Sequence, residues 1–322
     1  MPPRWPLDAP EQLLNCPSIA LGAEKNLVAA CGIFSGGVLY MLVAGLGGGR
    51  GQGVFGNLFY ASGLSLWVLC LILAAGGISR AVLQELRGEP RMRLAEIAGY
   101  LRGRGKDLLL IPLAFCALAV VGVIAHTFMA ILGLIPGVGP TFYALWFTLG
   151  VAFSAITVLT TLVHVLGSPL YPAALGYQEA TAATVIRELF DLVRRRPGRI
   201  LLVEAALAVA FSAVSLVIYA LLRLSLQITV AISHPAMKER FVRLVAGLPE
   251  SLQPLFECLA GPLPFALSSA GDPASYPFSG FILGLSFLAL ISAAFAYPLT
   301  LLFSGGTVLY VSLRGEGELS DG

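Results

Sequence analysis

The chain has 322 residues, 57% of them hydrophobic and only 12% charged, and a mean hydropathy of +0.85. An average soluble domain carries roughly 25% charged residues, so this composition excludes an ordinary water-soluble fold. Lys and Arg number 20 against 18 Asp and Glu, and a net charge of +2 is too small to hold a polyanion, which excludes nucleic acid as a partner.

Residues 1–26 are Pro-rich and mixed in charge. They are followed by an apolar run without an A-x-A-like cleavage site, so they read as an N-terminal cytoplasmic segment rather than a leader. Charge-poor windows then predict six membrane helices, at 27–48, 54–76, 108–134, 142–166, 200–222 and 279–302. Each exceeds the ~20 residues needed to cross a ~30 Å hydrocarbon core, and only helices satisfy their own backbone groups over that length in lipid. The strongest signal lies between Asp107 and Glu179, where 71 consecutive residues carry no Asp, Glu, Lys or Arg. A turn signal, Pro136 to Pro140, divides that run into two spans.

Basic residues orient the spans. Arg80, Arg87, Arg91, Arg93, Arg102, Arg104 and Lys106 follow span two, and Arg187, Arg194, Arg195, Arg196 and Arg199 follow span four. The other short connections hold only Arg50. The excess places both basic loops, and with them both termini, in the cytoplasm. Each loop has an apolar stripe at helical spacing: Leu94, Ile97 and Leu101 in the first, Ile186, Leu189, Phe190 and Val193 in the second. These predict amphipathic helices over 91–104 and 182–196, whose Arg102, Arg104, Arg194, Arg195 and Arg196 reach lipid headgroups. The alternative is that each helix packs on the protein's own cytoplasmic face. Segment 233–278 forms an outer insert, where Met237, Phe241, Leu244, Val245 and Leu248, and then Leu252, Leu255, Phe256 and Leu259, predict two short interfacial helices.

A shift of 92 residues aligns Glu96 with Glu188, Arg102 with Arg194 and Arg104 with Arg196. The tetrapeptide Leu86–Glu89 recurs at Leu313–Glu316. The expected architecture is therefore all-α: six transmembrane helices as three hairpins in one domain over 27–318, with repeat-like units 27–107, 108–199 and 200–318.

Chemistry-bearing residues are few. The five cysteines have no metal-ligand spacing, no cofactor motif occurs in a usable context, and no set of catalytic residues can be assembled, so an enzyme is not expected. Glu204 is the one carboxylate clearly inside a span, one turn from the cytoplasmic start of span five, and such groups are functional candidates by default although at this depth it can snorkel. Pairing with Arg199 or His164 is the favoured reading, and ion coupling the rival. His164 stands near the cytoplasmic end of span four. His126 lies roughly 27 Å along span three from its start, too far to share a ligand with His164. Gly32 and Gly36, and Gly280 and Gly284, have the spacing that lets helix backbones approach closely, within one molecule or between two.

Three segments, "GGISRAVLQELRGEPRMRLAEIAGYLRGR", "LIPGVGP…GSPLYPAALGYQEATAATVIRELFDLVRRRPGRIL" and "GGTVLYVSLRGEGELSDG", resemble a loose group of uncharacterised bacterial six-span membrane proteins. They are akin to the membrane domain found beside glycerophosphodiester phosphodiesterases, planctomycete-type members being most similar. Glu179, Arg187, Arg196 and Pro197 stand at the positions that carry the resemblance. It implies a multi-pass protein of the bacterial inner membrane and no catalytic residues. The reading is then a non-enzymatic accessory or scaffold subunit that contacts lipid and partner membrane proteins. Its alternative is a small-molecule or lipid transporter.

The orientation is tested by single cysteines placed in 85–105 or 240–260 of a cysteine-free chain. In intact cells a membrane-impermeant thiol reagent should label only the second window, and labelling of the first would invert the topology.

Overall fold

The computed structural model describes residues 16–47, 53–132, 134–136, 139–178, 181–195, 197–261 and 277–320. These form eleven helices and no strand. The short α1 (Cys16–Ala20) precedes α2 (Ala23–Leu46) and α3 (Gly53–Leu86); α4 (Leu94–Leu132) and α5 (Gly139–Gly167) follow. Next come α6 (Tyr171–Gln178), α7 (Ala182–Arg195), α8 (Pro197–Met237), α9 (Glu239–Ala246), α10 (Gln253–Ala260) and α11 (Pro277–Ser320). Six of them, α2, α3, α4, α5, α8 and α11, are long and apolar enough to cross a membrane. Their outward faces carry large apolar side chains such as Leu113, Val121, Phe128, Leu202, Leu216 and Val217, all exposed. In water that surface would drive aggregation, whereas lipid solvates it. The chain is an integral, multi-pass membrane protein.

Along the bundle α2 packs on α3, α4 on α5, and α11 on both α2 and α8. One end gathers α6, α7, the last turns of α3 and α11 and the adjoining parts of α4, α5 and α8 around the largest buried cluster, which includes Leu83, Leu108, Leu170, Leu175, Val185, Leu189, Ile200 and Tyr310. This basic end holds Arg80, Arg87 and Arg314. At the opposite end α9 and α10 close over α8 and α11, burying Phe241, Val245, Leu248, Phe256 and Leu259 with Phe287 and Ile291.

Local chemistry sets several boundaries. Beyond α3, Gly88 adopts φ +70°. Its N–H bonds Glu85 O at 3.0 Å while Glu89 N–H bonds Gln84 O at 3.1 Å, the paired closure that ends helices on a left-handed glycine. The same four letters at Leu313–Glu316 lie inside α11, which continues to Ser320. Lys238, at φ 51°, separates α8 from α9. Helix α7 ends before a proline, and Pro197 opens α8, where its missing N–H would have been unpaired in any case.

Two expectations change. The helix expected over 91–104 is not a separate element. It is the first part of α4, which runs unbroken into span three because no proline or positive-φ glycine interrupts 94–108. Its repeat counterpart, α7, is separate from α8. Span five, expected over 200–222, does not end there: α8 extends to Met237 and includes Arg223.

The glycine pairs do not meet each other. A Cβ on Gly32 would fall 2.6 Å from Ala74 Cβ, and one on Gly36 would overlap the Trp67 side chain and stand 3.0 Å from Cys70 Cβ, so both serve the α2–α3 contact. Gly280 abuts the backbone of Gly247, and a Cβ on Gly284 would lie 3.0 Å from Pro249. That second pair lets α11 approach the turn after α9. We expect Gly36→Ala to destabilise the protein by about 1–3 kcal/mol through overpacking, read as a lower Tm in detergent. Gly45→Ala, with nothing within 4 Å of the new methyl, should be neutral or stabilising by up to ~1 kcal/mol.

Candidate functional site

A cavity of about 480 Å³ lies between α3, α4, α8, α11 and the turn joining α5 to α6. Its wall is mostly apolar: Val68, Leu71 and Ile72 from α3, Pro112 from α4, Leu207 and Ala208 from α8, Leu302 and Phe303 from α11. The polar groups in it are Glu204, His164, Tyr171, Ser168 and Cys116. Close helix approach on one side defines the space. Gly305 of α11 packs on Leu207, and Gly306 on the backbone of Pro169, which pins α11 to the turn beside the cavity. At the rim Val68, Cys116, Val165 and Ala208 are exposed, so the cavity opens sideways toward the lipid-facing surface.

Glu204 stands seven residues after Pro197, about 10 Å along α8. Its Oε1 is buried, and among the described residues it has no hydrogen-bond partner. The expected pairing with Arg199 is not made, because the Arg199 guanidinium points to Ser312 Oγ, 3.5 Å away on α11. His164 does share the cavity with Glu204, but no hydrogen bond or ion pair joins them. Its ring stacks on Phe115, with centroids 5.2 Å apart, and its Nδ1 is also buried without a hydrogen bond among the described residues. Tyr171 is buried, and desolvation of the phenolate pushes its titration well above the ordinary range. The arrangement therefore offers an acidic oxygen and an imidazole nitrogen, both unsatisfied, in an apolar container.

His126 is elsewhere. It sits on α4 against Gly150 of α5, a Cβ on which would lie 3.4 Å from His126 Nδ1. Gly150 and His164 are separated by about 21 Å along α5. His234 packs edge-on to Phe241 beyond the far end of the bundle, centroids 6.4 Å apart. Among the described residues, no three His, Cys, Asp or Glu side chains come together as a metal site. Of the arginines expected at headgroups, Arg102, Arg194 and Arg195 are exposed. Arg104 lies 3.8 Å from Asp107, and Arg195 lies 3.8 Å from Asp191. Arg196 is outside the described residues, as is Glu179.

A second constellation, at the basic end, escaped the sequence reading. The Tyr310 hydroxyl donates to Glu188 Oε1 at 2.7 Å and accepts from Arg314 at 3.1 Å. Arg314 also stacks over Tyr177, 4.8 Å from the ring centroid. From α3, Arg80 donates to Gly176 O at 2.8 Å and Arg87 to Tyr177 O at 3.2 Å. These two cations cap the last carbonyls of α6, where the helix dipole is negative. Nearby, Lys25 is 2% exposed and donates to Glu85 Oε2 at 2.6 Å and to the carbonyl of Ile19. Of these residues, the sequence singles out only Arg80 and Arg87, as loop charges, and Glu188, as a repeat match. The tyrosines beside them, Tyr100, Tyr177 and Tyr310, were the available signal, since a Tyr in an apolar chain presents both a ring for a cation and a hydroxyl that needs a partner when buried. Glu96 and Glu188, matched by the 92-residue shift, have different roles: Glu96 accepts from Arg93 N–H at its own helix start, at 2.9 Å.

A bundle of six long apolar helices, with charged groups at both of its ends and a half-buried carboxylate beside a side-opening cavity, defines a polytopic α-helical membrane protein. No protein-family model, curated protein or solved structure matches the chain.

Removing the Tyr310 hydroxyl leaves Glu188 Oε1 without its shortest hydrogen bond. Tyr310→Phe should therefore cost about 1–3 kcal/mol, read as a lower Tm. Tyr177→Phe, which keeps the ring under Arg314, should stay within about 0.5 kcal/mol.

Proposed function

We propose that this protein is a non-enzymatic transporter or lipid-handling protein that takes a small, largely apolar molecule into the cavity beside Glu204. One observation carries the reading: a container of about 480 Å³ within the membrane-spanning part of the bundle, open sideways and lined by unsatisfied Glu204 and His164. Ligand sites are commonly about 300–1,000 Å³, apolar, and marked by a few convergent polar groups. The cavity also reaches deep. Leu302 lies twelve residues before Arg314, about 18 Å along α11, near the middle of a ~30 Å hydrocarbon core. A solid bundle would instead have favoured the accessory or scaffold subunit, whose contacts are with partner membrane proteins.

The same reading sets the protein in the bacterial cytoplasmic membrane with the basic end and both termini inside, in line with the basic-residue bias. Its spans form three hairpins, and its exposed Arg102, Arg194 and Arg195 meet headgroups from amphipathic surfaces. The resemblance to the membrane domain found beside glycerophosphodiester phosphodiesterases is consistent with that topology.

Native mass spectrometry of protein purified from its own membrane discriminates the two roles. The transporter reading expects a small-molecule adduct on the wild type that is lost in Ala208→Trp, which fills the rim of the cavity. A stoichiometric protein partner retained equally by both forms, with no small adduct on either, would favour the subunit.

A further inference from the structure

The charge of the cavity wall restricts what it can hold. Glu204 is its single acid, and no Lys or Arg contributes to its lining. The titratable groups that face Glu204 are His164 from α5, Cys116 from α4 and Tyr171 from α6. Helices α3 and α11 present only Val68, Leu71, Ile72, Leu302 and Phe303. Arg199, on the same helix as Glu204, is turned to Ser312. From α7, which packs on α8, Arg187, Glu188, Asp191, Arg194 and Arg195 contribute nothing to the wall; nor do the charged groups of α9 and α10 at the far end.

An ionised carboxylate removed from water without a partner costs several kcal/mol. Glu204 therefore takes either a proton or a cation. Small hard cations are poorly served, because calcium and magnesium require about six or more oxygen ligands and the side chains of the wall offer one carboxylate and the hydroxyls of Ser168 and Tyr171. An anion would face the carboxylate with no compensating base. A bulky organic cation fits on each count: it sheds little hydration, its apolar groups bury against the leucines and valines, and the wall includes the aromatic residues Phe303 and Tyr171, a residue type that attracts positive charge. The exposed rim at Val68, Cys116, Val165 and Ala208 is reached from the bilayer, where such cations partition.

We propose that the cavity binds one lipophilic organic cation, which takes the place of the proton on Glu204. The exchange balances: the carboxyl O–H breaks, the proton leaves to water, and the carboxylate left behind neutralises the incoming cation. This inference rests on the small-molecule reading of the same cavity and names the class of ligand.

The test is titration of the purified full-length protein in detergent with tetraphenylphosphonium, in weak buffer, across about pH 5 to 9. Saturable binding with proton release is expected, the apparent affinity rising by up to tenfold per pH unit while Glu204 gives up its proton. Tetraphenylborate, of the same shape and opposite charge, should not bind. Glu204→Gln should lose at least about tenfold in affinity together with the proton release, the cation's counter-charge being gone. Glu204→Asp should keep both. Should Glu204→Gln fail to fold, Ala208→Trp carries the same test, because it blocks the space and leaves the carboxylate in place. The proposal is overturned by a folded wild type that does not bind tetraphenylphosphonium, by equal binding to a folded Glu204→Gln or to Ala208→Trp, or by equal binding of tetraphenylborate. Cation binding through Glu204 without any native adduct would leave the site standing and remove the transport reading. A native neutral adduct without cation binding would do the reverse.

Discussion

The cost of a bare charge in hydrocarbon organises this molecule. Each ionised group at a bilayer's depth must be paired, moved to a surface or neutralised. The chain meets that demand at the basic end, where Lys25 is buried against Glu85 and Arg314 shares Glu188 with Tyr310. Arg80 and Arg87 close the carbonyls of α6. Breaking such a pair by removing one partner is expensive, often about 3–5 kcal/mol, because the other charge stays behind. The network therefore fixes how α3, α6, α7 and α11 meet, and that geometry in turn fixes the lower wall of the cavity. Glu204 stands apart from this pattern, and its isolation makes it the residue on which a function can be built.

Helix α11 transmits the arrangement. It packs on α2, α3, α6, α8 and α9, using small residues where backbones must approach: Gly280 at the turn after α9, Gly305 at Leu207 and Gly306 at Pro169. In lipid no hydrophobic driving force presses helices together, so close van der Waals contact at such residues carries much of the association. Helices α5 and α8 touch only lightly, and the cavity lies where α3, α4, α8 and α11 leave space beside the turn after α5.

The class of fold was fully legible, because a 71-residue uncharged run has no soluble solution and six apolar windows have only a helical one. Boundaries were less so. The amphipathic stripe of the basic segment after α3 predicts a helix apart from span three, yet nothing between Leu94 and Leu108 breaks a helix, and α4 passes straight through. Leu86–Glu89 and Leu313–Glu316 show the opposite limit: identical letters end α3 at a positive-φ glycine and continue α11, because tertiary context overrides propensity. Glu204 and His164 could be named from depth alone. Their juxtaposition could be suggested but not their lack of a bond, since the direction taken by Arg199 depends on Ser312, more than a hundred residues away. The tyrosine–arginine network was signalled by its tyrosines alone, for the same reason: its members are scattered along the chain and meet only where helix ends converge.

Imaging the protein in lipid nanodiscs by electron cryomicroscopy at side-chain resolution tests the central claim most directly. An open space is expected between α3, α4, α8 and α11, with the Glu204 carboxylate facing it and Arg199 turned to Ser312. A space filled by side chains, with Glu204 ion-paired to Arg199, would contradict it.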